Sequence, residues 1–369
     1  MTNLPDSNTL DIGALSRSFS NVTNSYKLLF FQGLLSCLKG THFGYKLIIP
    51  INAIGIEMIA LAWYPYIYFK LSFGLQDKTH RCLDKLRFHL SNPNIAGNAE
   101  TQNQLHTAIK EQWNIINGDS LLRFVPYRLL TPFFEDRLRG APDPEKNKRI
   151  SELSQQFFDE RKPFYKIDKT GSTIEIHPSW YKYFIENMPI IEGWAKWHWL
   201  HYLQRRNPNV PAISEKTSPP INRGTLTTPK KYWSKILENK KFTCIYSGKT
   251  LDPENFDIDH FIPWSFVCHD RSWNLLPVDP SVNSAKGNTL PDESFITSLV
   301  DTQYKGLEIG KQIIDKRVWN SITEPFFVDL HLSESDLFEH NRLEQAYMET
   351  LPALYQLAKQ LGFSSGWKL

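Results

Sequence analysis

Residues 256–288 constrain this chain more than any other stretch, because they set two short strands, a loop and a helix start in a fixed order. Phe256-Asp257-Ile258-Asp259-His260-Phe261-Ile262 alternates as a strand does, and Trp273-Asn274-Leu275-Leu276-Pro277-Val278 reads as a second, apolar strand. Asp279 suits an N-cap and Pro280 the first helical position, so Asn283 is expected in the first turn of a helix. Two paired strands with a helix packed across them bring Asp259 close to Asn283, and a cation can sit between their oxygens. His260 follows Asp259, so its ring points to the other side of the strand or turns at the strand's end. Asn274 lies in the connecting loop, where its amide can bind backbone groups and hold the imidazole's orientation. Singly, each residue has an ordinary structural explanation; their joint spacing points to catalysis.

The surrounding charge is uneven. From Lys216 to Thr250, Lys216, Arg223, Lys230, Lys231, Lys235, Lys240, Lys241 and Lys249 stand against Glu238 alone. From Leu251 to Glu293 the sign reverses, with eight acids facing only Arg271 and Lys286. A basic approach surface beside an acidic pocket suits a protein that grips phosphates and holds a divalent cation, although a charge run by itself is often a solvated face. The overall formal charge of +3 is too small to argue for nucleic acid. Cys37, Cys82, Cys244 and Cys268 are scattered without a CxxC pair, which argues against a disulfide framework and fits a reducing cytoplasm. The segment from Met1 to Asp6 shows no basic, apolar secretory leader. Leu47–Phe69 is long and apolar, but Pro50 and Pro65 interrupt it, so a core helix with a broken turn is expected rather than a membrane span.

At 369 residues the chain is long enough for two or three units. Its first two hundred residues read as mainly helical: Ser20–Leu38, Ile51–Trp63, Gln76–Leu90, Gln102–Asn114 and Trp180–Arg206 have helical spacing, while Ile174-Glu175-Ile176 reads as a short strand. Trp194, Trp197 and Trp199 are expected in a core, with Arg205 and Arg206 as candidate phosphate contacts. His198 and His201 lie three apart on that helix, a spacing explained by packing in the absence of a Glu-x-x-His companion. Cys268-His269 lacks the partners of a thiol nucleophile. The Pro-rich stretch from Asn207 to Pro220 is the expected boundary.

The segment Cys244–Pro291 resembles the HNH nucleases, which share the ββα-metal fold. The resemblance is strongest to the branch whose pattern begins Asp-x-Asp-His-x-x-Pro and continues Asn-x-Leu-x-x-x-x-x-x-Asn-x-x-Lys. A related pattern in the HNH domain of RNA-guided CRISPR effector nucleases is recognisable in Asp257–Phe266. The resemblance implies that Asp259 is a metal ligand, His260 the general base, Asn274 the loop-organising asparagine and Asn283 the second metal ligand. It also implies hydrolysis of DNA to 5′-phosphate and 3′-hydroxyl ends. Two departures stand out: after Cys244 the chain reads Ile245-Tyr246-Ser247 where many members carry a CxxC pair, and Asn283 replaces a histidine, making a His-Asn-Asn variant. No structural zinc is therefore expected, and oxygen ligands favour Mg²⁺, with Mn²⁺ as the alternative.

The expected fold class is α+β, predominantly α. A helical N-terminal domain over 1–215, with a role in DNA or partner binding or sensing, precedes a ββα-metal HNH domain over 216–300 and a helical C-terminal extension over 301–369. The expected function is a metal-dependent HNH endonuclease that contacts the DNA phosphate backbone through Lys230, Lys231, Lys240, Lys241 and Lys286. Lys286, one turn beyond Asn283, is read either as a phosphate contact or as an exposed structural lysine. Segments such as Ala62-Trp63-Tyr64-Pro65 resemble those attached to HNH domains in bacterial proteins, some with anti-phage roles, so defence-system proteins and a second copy of the chain are open as partners. The alternatives are a DNA- or partner-binding module with a residual nuclease site, and an RNA-cleaving effector.

Overall fold

Two helices made almost wholly of apolar residues form the centre of the N-terminal part. In the computed structural model, which describes residues 4–40, 47–89, 98–220 and 224–369, helix α1 (Tyr26–Gly40) buries Leu28, Leu29, Phe30, Phe31, Leu34 and Leu35. That band is wider than one helix face, as expected of a helix covered on several sides. Strand β1 (Ile48–Pro50) leads into helix α2 (Ile51–Trp63), which packs along α1 and buries Ile54, Met58, Ile59 and Trp63. Their backbones approach closely, since a Cβ on Gly33 would lie 2.9 Å from the Ile54 carbonyl oxygen. Pro50, extended at ψ 131°, starts α2, and a π-helical turn over Tyr64–Tyr68, containing Pro65, ends it. Among the described residues no helix is long and apolar enough to cross a membrane.

The expected strand at 174–176 is the middle strand of a small antiparallel sheet. Strand β2 (Tyr165–Ile167) and β1 both pair with β3 (Thr173–Ile176), giving the order β1-β3-β2, with Ile49 and Ile167 on either side of Ile174. Several helix bounds differ from expectation for local reasons. The helix expected from Ser20 begins at Tyr26, and of Gln76–Leu90 only Thr79–Leu83 is α-helical; Leu90 and Arg223 lie outside the described residues. Asn98 accepts a hydrogen bond from the Thr101 amide at 2.8 Å and starts the next helix at Ala99. The Trp180–Arg206 pattern is two helices, Pro178–Glu186 and α3 (Met188–Arg206), because Pro189 opens a new first turn. Trp194 stacks on Phe19 at 4.6 Å and Trp199 on Tyr202 at 5.7 Å, whereas Trp197 is exposed with its ring against His201.

The chain divides into two compact units, residues 1–208 with 213–221, and residues 209–212 with 222–369. Lys216 is fully buried, so it adds nothing to an exposed basic surface. In the second unit, helix α4 (Thr227–Asn239) presents Tyr232, Trp233, Ile236 and Leu237 to a core shared with strands β4 (Asp257–His260) and β5 (Leu275–Val278) and helix α5 (Pro280–Lys286). Helices α6 (Phe295–Ile313), α7 (Lys316–Asp329) and α8 (His340–Gln360) contribute to the same core. Residues 301–369 share the core of β4 and β5: Tyr347 donates to the Trp273 carbonyl at 2.7 Å and Tyr355 to the Pro291 carbonyl at 2.6 Å. The fold is α+β and predominantly α.

The meeting of α4 and α6 depends on two missing side chains. A Cβ on Gly306 would lie 2.6 Å from the Trp233 ring, and one on Gly310 2.9 Å from the Tyr232 ring. One turn apart, these glycines make the groove that receives both aromatics. Gly306→Val should displace the buried indole and lower stability by about 1–3 kcal/mol, read from the urea unfolding midpoint. An unchanged midpoint would show that the indole is not confined there.

Candidate active site

β4 and β5 pair antiparallel, with Asp257 opposite Val278, Asp259 opposite Leu276 and His260 opposite Leu275. The Phe261 amide donates to the Asn274 carbonyl at 2.9 Å, extending the ladder one step into the loop. There the Asn274 side chain clasps a single residue, accepting from the Ile262 amide at 2.8 Å and donating to the Ile262 carbonyl at 2.9 Å. Both halves of a fully buried amide are thus used on the backbone just beyond His260. Asn274 fixes the path of that loop, and no contact with the imidazole is part of this clasp.

Asp279 caps α5 by accepting from the Ser281 amide at 2.8 Å, Pro280 occupies the first turn, and Gly287 at φ 51° closes the helix. The helix lies across β4 and presents Asn283 and Lys286, one turn apart, to two carboxylates that alternate onto one strand face. Asn283 Nδ2 donates to Asp257 Oδ2 at 3.2 Å. Lys286 Nζ donates to Asp259 Oδ1 at 2.9 Å and to the His260 carbonyl at 2.8 Å. Asp259 and Lys286 are 4% and 1% exposed, so this is an ion pair removed from water.

The second oxygen of Asp259 accepts from Tyr246 Oη at 3.0 Å. Tyr246 comes from the turn after Cys244, where the Gly248 amide donates to the Cys244 carbonyl at 2.8 Å and Gly248 takes φ 69°. Burial and the nearby Asp259 charge push the Tyr246 hydroxyl far above its usual range, so it stays a proton donor. His260, 6% exposed, meets Asp270 Oδ1 through Nε2 at 2.7 Å. Its neighbour His269 is lowered to about 4, chiefly by burial, and is neutral at physiological pH.

Asp257, Asp259 and Asn283 form an oxygen-rich donor set that fits a hard divalent cation bound with waters and substrate oxygens. Among the described residues no group of three or more His, Cys, Asp or Glu is arranged to hold a metal. A cation here would therefore rely on the Asn283 amide as well as the carboxylates. Antiparallel strands crossed by a short helix, with a histidine at the strand's end and carboxylates facing the helix, define the class of ββα nuclease centres. Residues 244–292 match the family model described as HNH endonuclease, so this segment is an HNH endonuclease domain and points to a nuclease. HNH nucleases typically use a divalent metal ion. No curated protein and no solved structure matches the chain.

The structure brings Asp259 and His260 together on β4, hydrogen-bonds Asn283 to Asp257, and puts Asn274 on the following loop. Lys286 is buried on Asp259, neither an exposed lysine nor one placed to meet a phosphate at the surface, because its ammonium is engaged by the Asp259 carboxylate and the His260 carbonyl. Lys230, Lys231, Lys240 and Lys241 are exposed, the first two on α4 and the others just after it. Three residues carry more than the sequence reading assigned them. Asp257 shares the strand face of Asp259 by simple two-residue alternation; Asp270 was counted only among acids; Tyr246 was noted only as a non-cysteine. Alternation could have found the first, whereas the other two are joined to the site by tertiary contact alone.

Removing Lys286 leaves the Asp259 carboxylate buried without its counterion. Lys286→Met should destabilise the protein by about 3–5 kcal/mol in chemical denaturation, and adding Asp259→Asn should recover part of that loss. A single-mutant cost under about 1 kcal/mol would show that the ammonium does not neutralise the carboxylate.

Proposed function

We propose that the chain is a metal-dependent endonuclease that hydrolyses DNA phosphodiester bonds at the β4–β5–α5 site. The observation that carries this is the convergence of two carboxylates, an amide and a carboxylate-linked histidine on one strand and the helix packed across it. Asp259 and Asn283, with Asp257 beside them, would hold a divalent ion, Mg²⁺ or Mn²⁺, which would supply positive charge against the phosphate and the departing oxygen. His260 accepts the proton of a water that attacks phosphorus; the new P–O bond forms as the bond to the 3′-oxygen breaks, and that oxygen takes a proton from solvent. Asn274 keeps the segment after His260 in register with β5. For Asp259 to act as a ligand, Lys286 must share the carboxylate or withdraw from Oδ1.

His260→Ala removes the proton acceptor and leaves Asp257, Asp259 and Asn283 in place. It should lower nicking of supercoiled plasmid by at least about 10²-fold while Mn²⁺ binding, read by calorimetry, is retained. EDTA should abolish nicking by the native protein. Wild-type nicking by His260→Ala, or a loss that tracks lost metal affinity, would overturn the base assignment; failure of the native protein to nick with Mg²⁺ or Mn²⁺ would favour a binding module with a residual site.

The exposed Lys230, Lys231, Lys240 and Lys241 supply the sequence-independent grip on phosphate in this reading. Replacing all four by Ala should weaken DNA binding and reduce the slope of log affinity against log salt by up to about 3–4, one counterion's worth for each lysine in contact. Unchanged affinity across salt would identify them as a solvated face.

A further inference from the structure

The geometry points to Asp270 as the residue that positions His260, an inference that rests on the reading of His260 as the general base. Asp270 Oδ1 lies 2.7 Å from His260 Nε2, and His260 is 6% exposed. A carboxylate can only accept in this pair, so Nε2 carries the proton and the lone pair of the neutral ring lies on Nδ1. The carboxylate thereby selects which ring nitrogen takes a proton from water and stabilises the imidazolium that forms, as a carboxylate does behind other catalytic histidines. Among the described residues the Asp270 carboxylate meets His260 Nε2 at ion-pair distance.

The loop that carries Asp270 is held on both sides. Cys268 ends the short helix Trp264–Val267 in the left-handed region at φ 54°, a turn that non-glycine residues seldom make without support. The Arg271 amide donates to the neutral His269 Nδ1 at 3.4 Å, and the His269 ring meets Trp273 edge-on at 5.6 Å. Trp273 Nε1 donates to Asp329 Oδ2 at 2.7 Å, and Arg271 Nε reaches the same oxygen at 3.3 Å. The residues before and after Asp270 are thus tied to α7, while Asp270, about a quarter exposed, turns to the histidine. That is the preorganisation expected of a group that orients a base, since a free surface carboxylate would lose its hold to solvent.

Three variants of the full chain test this on plasmid with Mn²⁺. Asp270→Ala should lower kcat about 10–100-fold with KM, DNA affinity and melting temperature little changed. Asp270→Glu, which restores a carboxylate, should recover a large part of that loss. In the metal-free protein the ring-nitrogen NMR shifts of His260 should report a proton on Nε2 in the wild type and a tautomer mixture in Asp270→Ala. Wild-type kcat in Asp270→Ala while His260→Ala is inactive would overturn the positioning role, as would a loss shared by melting temperature and KM or an unchanged tautomer. An active His260→Ala would instead overturn the base assignment beneath it.

Discussion

The second unit is organised around one buried ammonium. Lys286 reaches from α5 to the Asp259 carboxylate and the His260 carbonyl, so a single side chain joins the helix to two consecutive residues of β4. Such a pair is costly to desolvate and is held only because its hydrogen bonds are nearly complete: Tyr246 takes the other carboxylate oxygen, and the ammonium has two acceptors. The helix cannot slide along the strand without the ammonium abandoning both of its acceptors. That fixes the one-turn spacing by which Asn283 meets Asp257.

The same arrangement places conflicting demands on Asp259. As a structural group it is neutralised by Lys286; as a ligand it would need to face a cation that repels the ammonium. The strand alternation offers a way to divide the labour, since Asp257 lies on the same face, is only half-buried and is engaged through a neutral amide. A carboxylate that served as a ligand while remaining the counterion of a core lysine would tie the stability of the unit to the state of its chemistry.

Much of the site could be read from local rules. The strand–loop–strand–helix order, the Asp279 cap and the Pro280 start are each set by residues adjacent in sequence, and all three occur. The first helix and the strand at 174–176 were likewise visible in periodicity, though not β1 and β2, whose three-residue runs carry too little pattern. The break at Asn187 was missed because Pro189 can open a helix as readily as end one. Lys286 was read as a phosphate contact or an exposed structural lysine because lysines usually reach the surface, and only the tertiary position of Asp259 explains its burial. Asp270 reaches His260 through a loop whose path depends on Asp329. The core contributed by residues 301–369 was hidden for the same reason, since amphipathic helices do not name their partners.

The segment near Trp367 returns to the site from far along the chain. Its backbone pairs with 290–292, the Leu290 amide donating to the Ser364 carbonyl at 2.9 Å and the Asp292 amide to the Trp367 carbonyl at 2.9 Å, and the Trp367 ring stands edge-on to Tyr246 at 5.3 Å. Tyr246 in turn holds Asp259. During synthesis, then, the strands and helix that bear the polar cluster leave the ribosome well before the residues that brace it. The order of translation itself delays completion of the centre, so that a growing chain carries the whole polar cluster yet lacks the packing that aligns it.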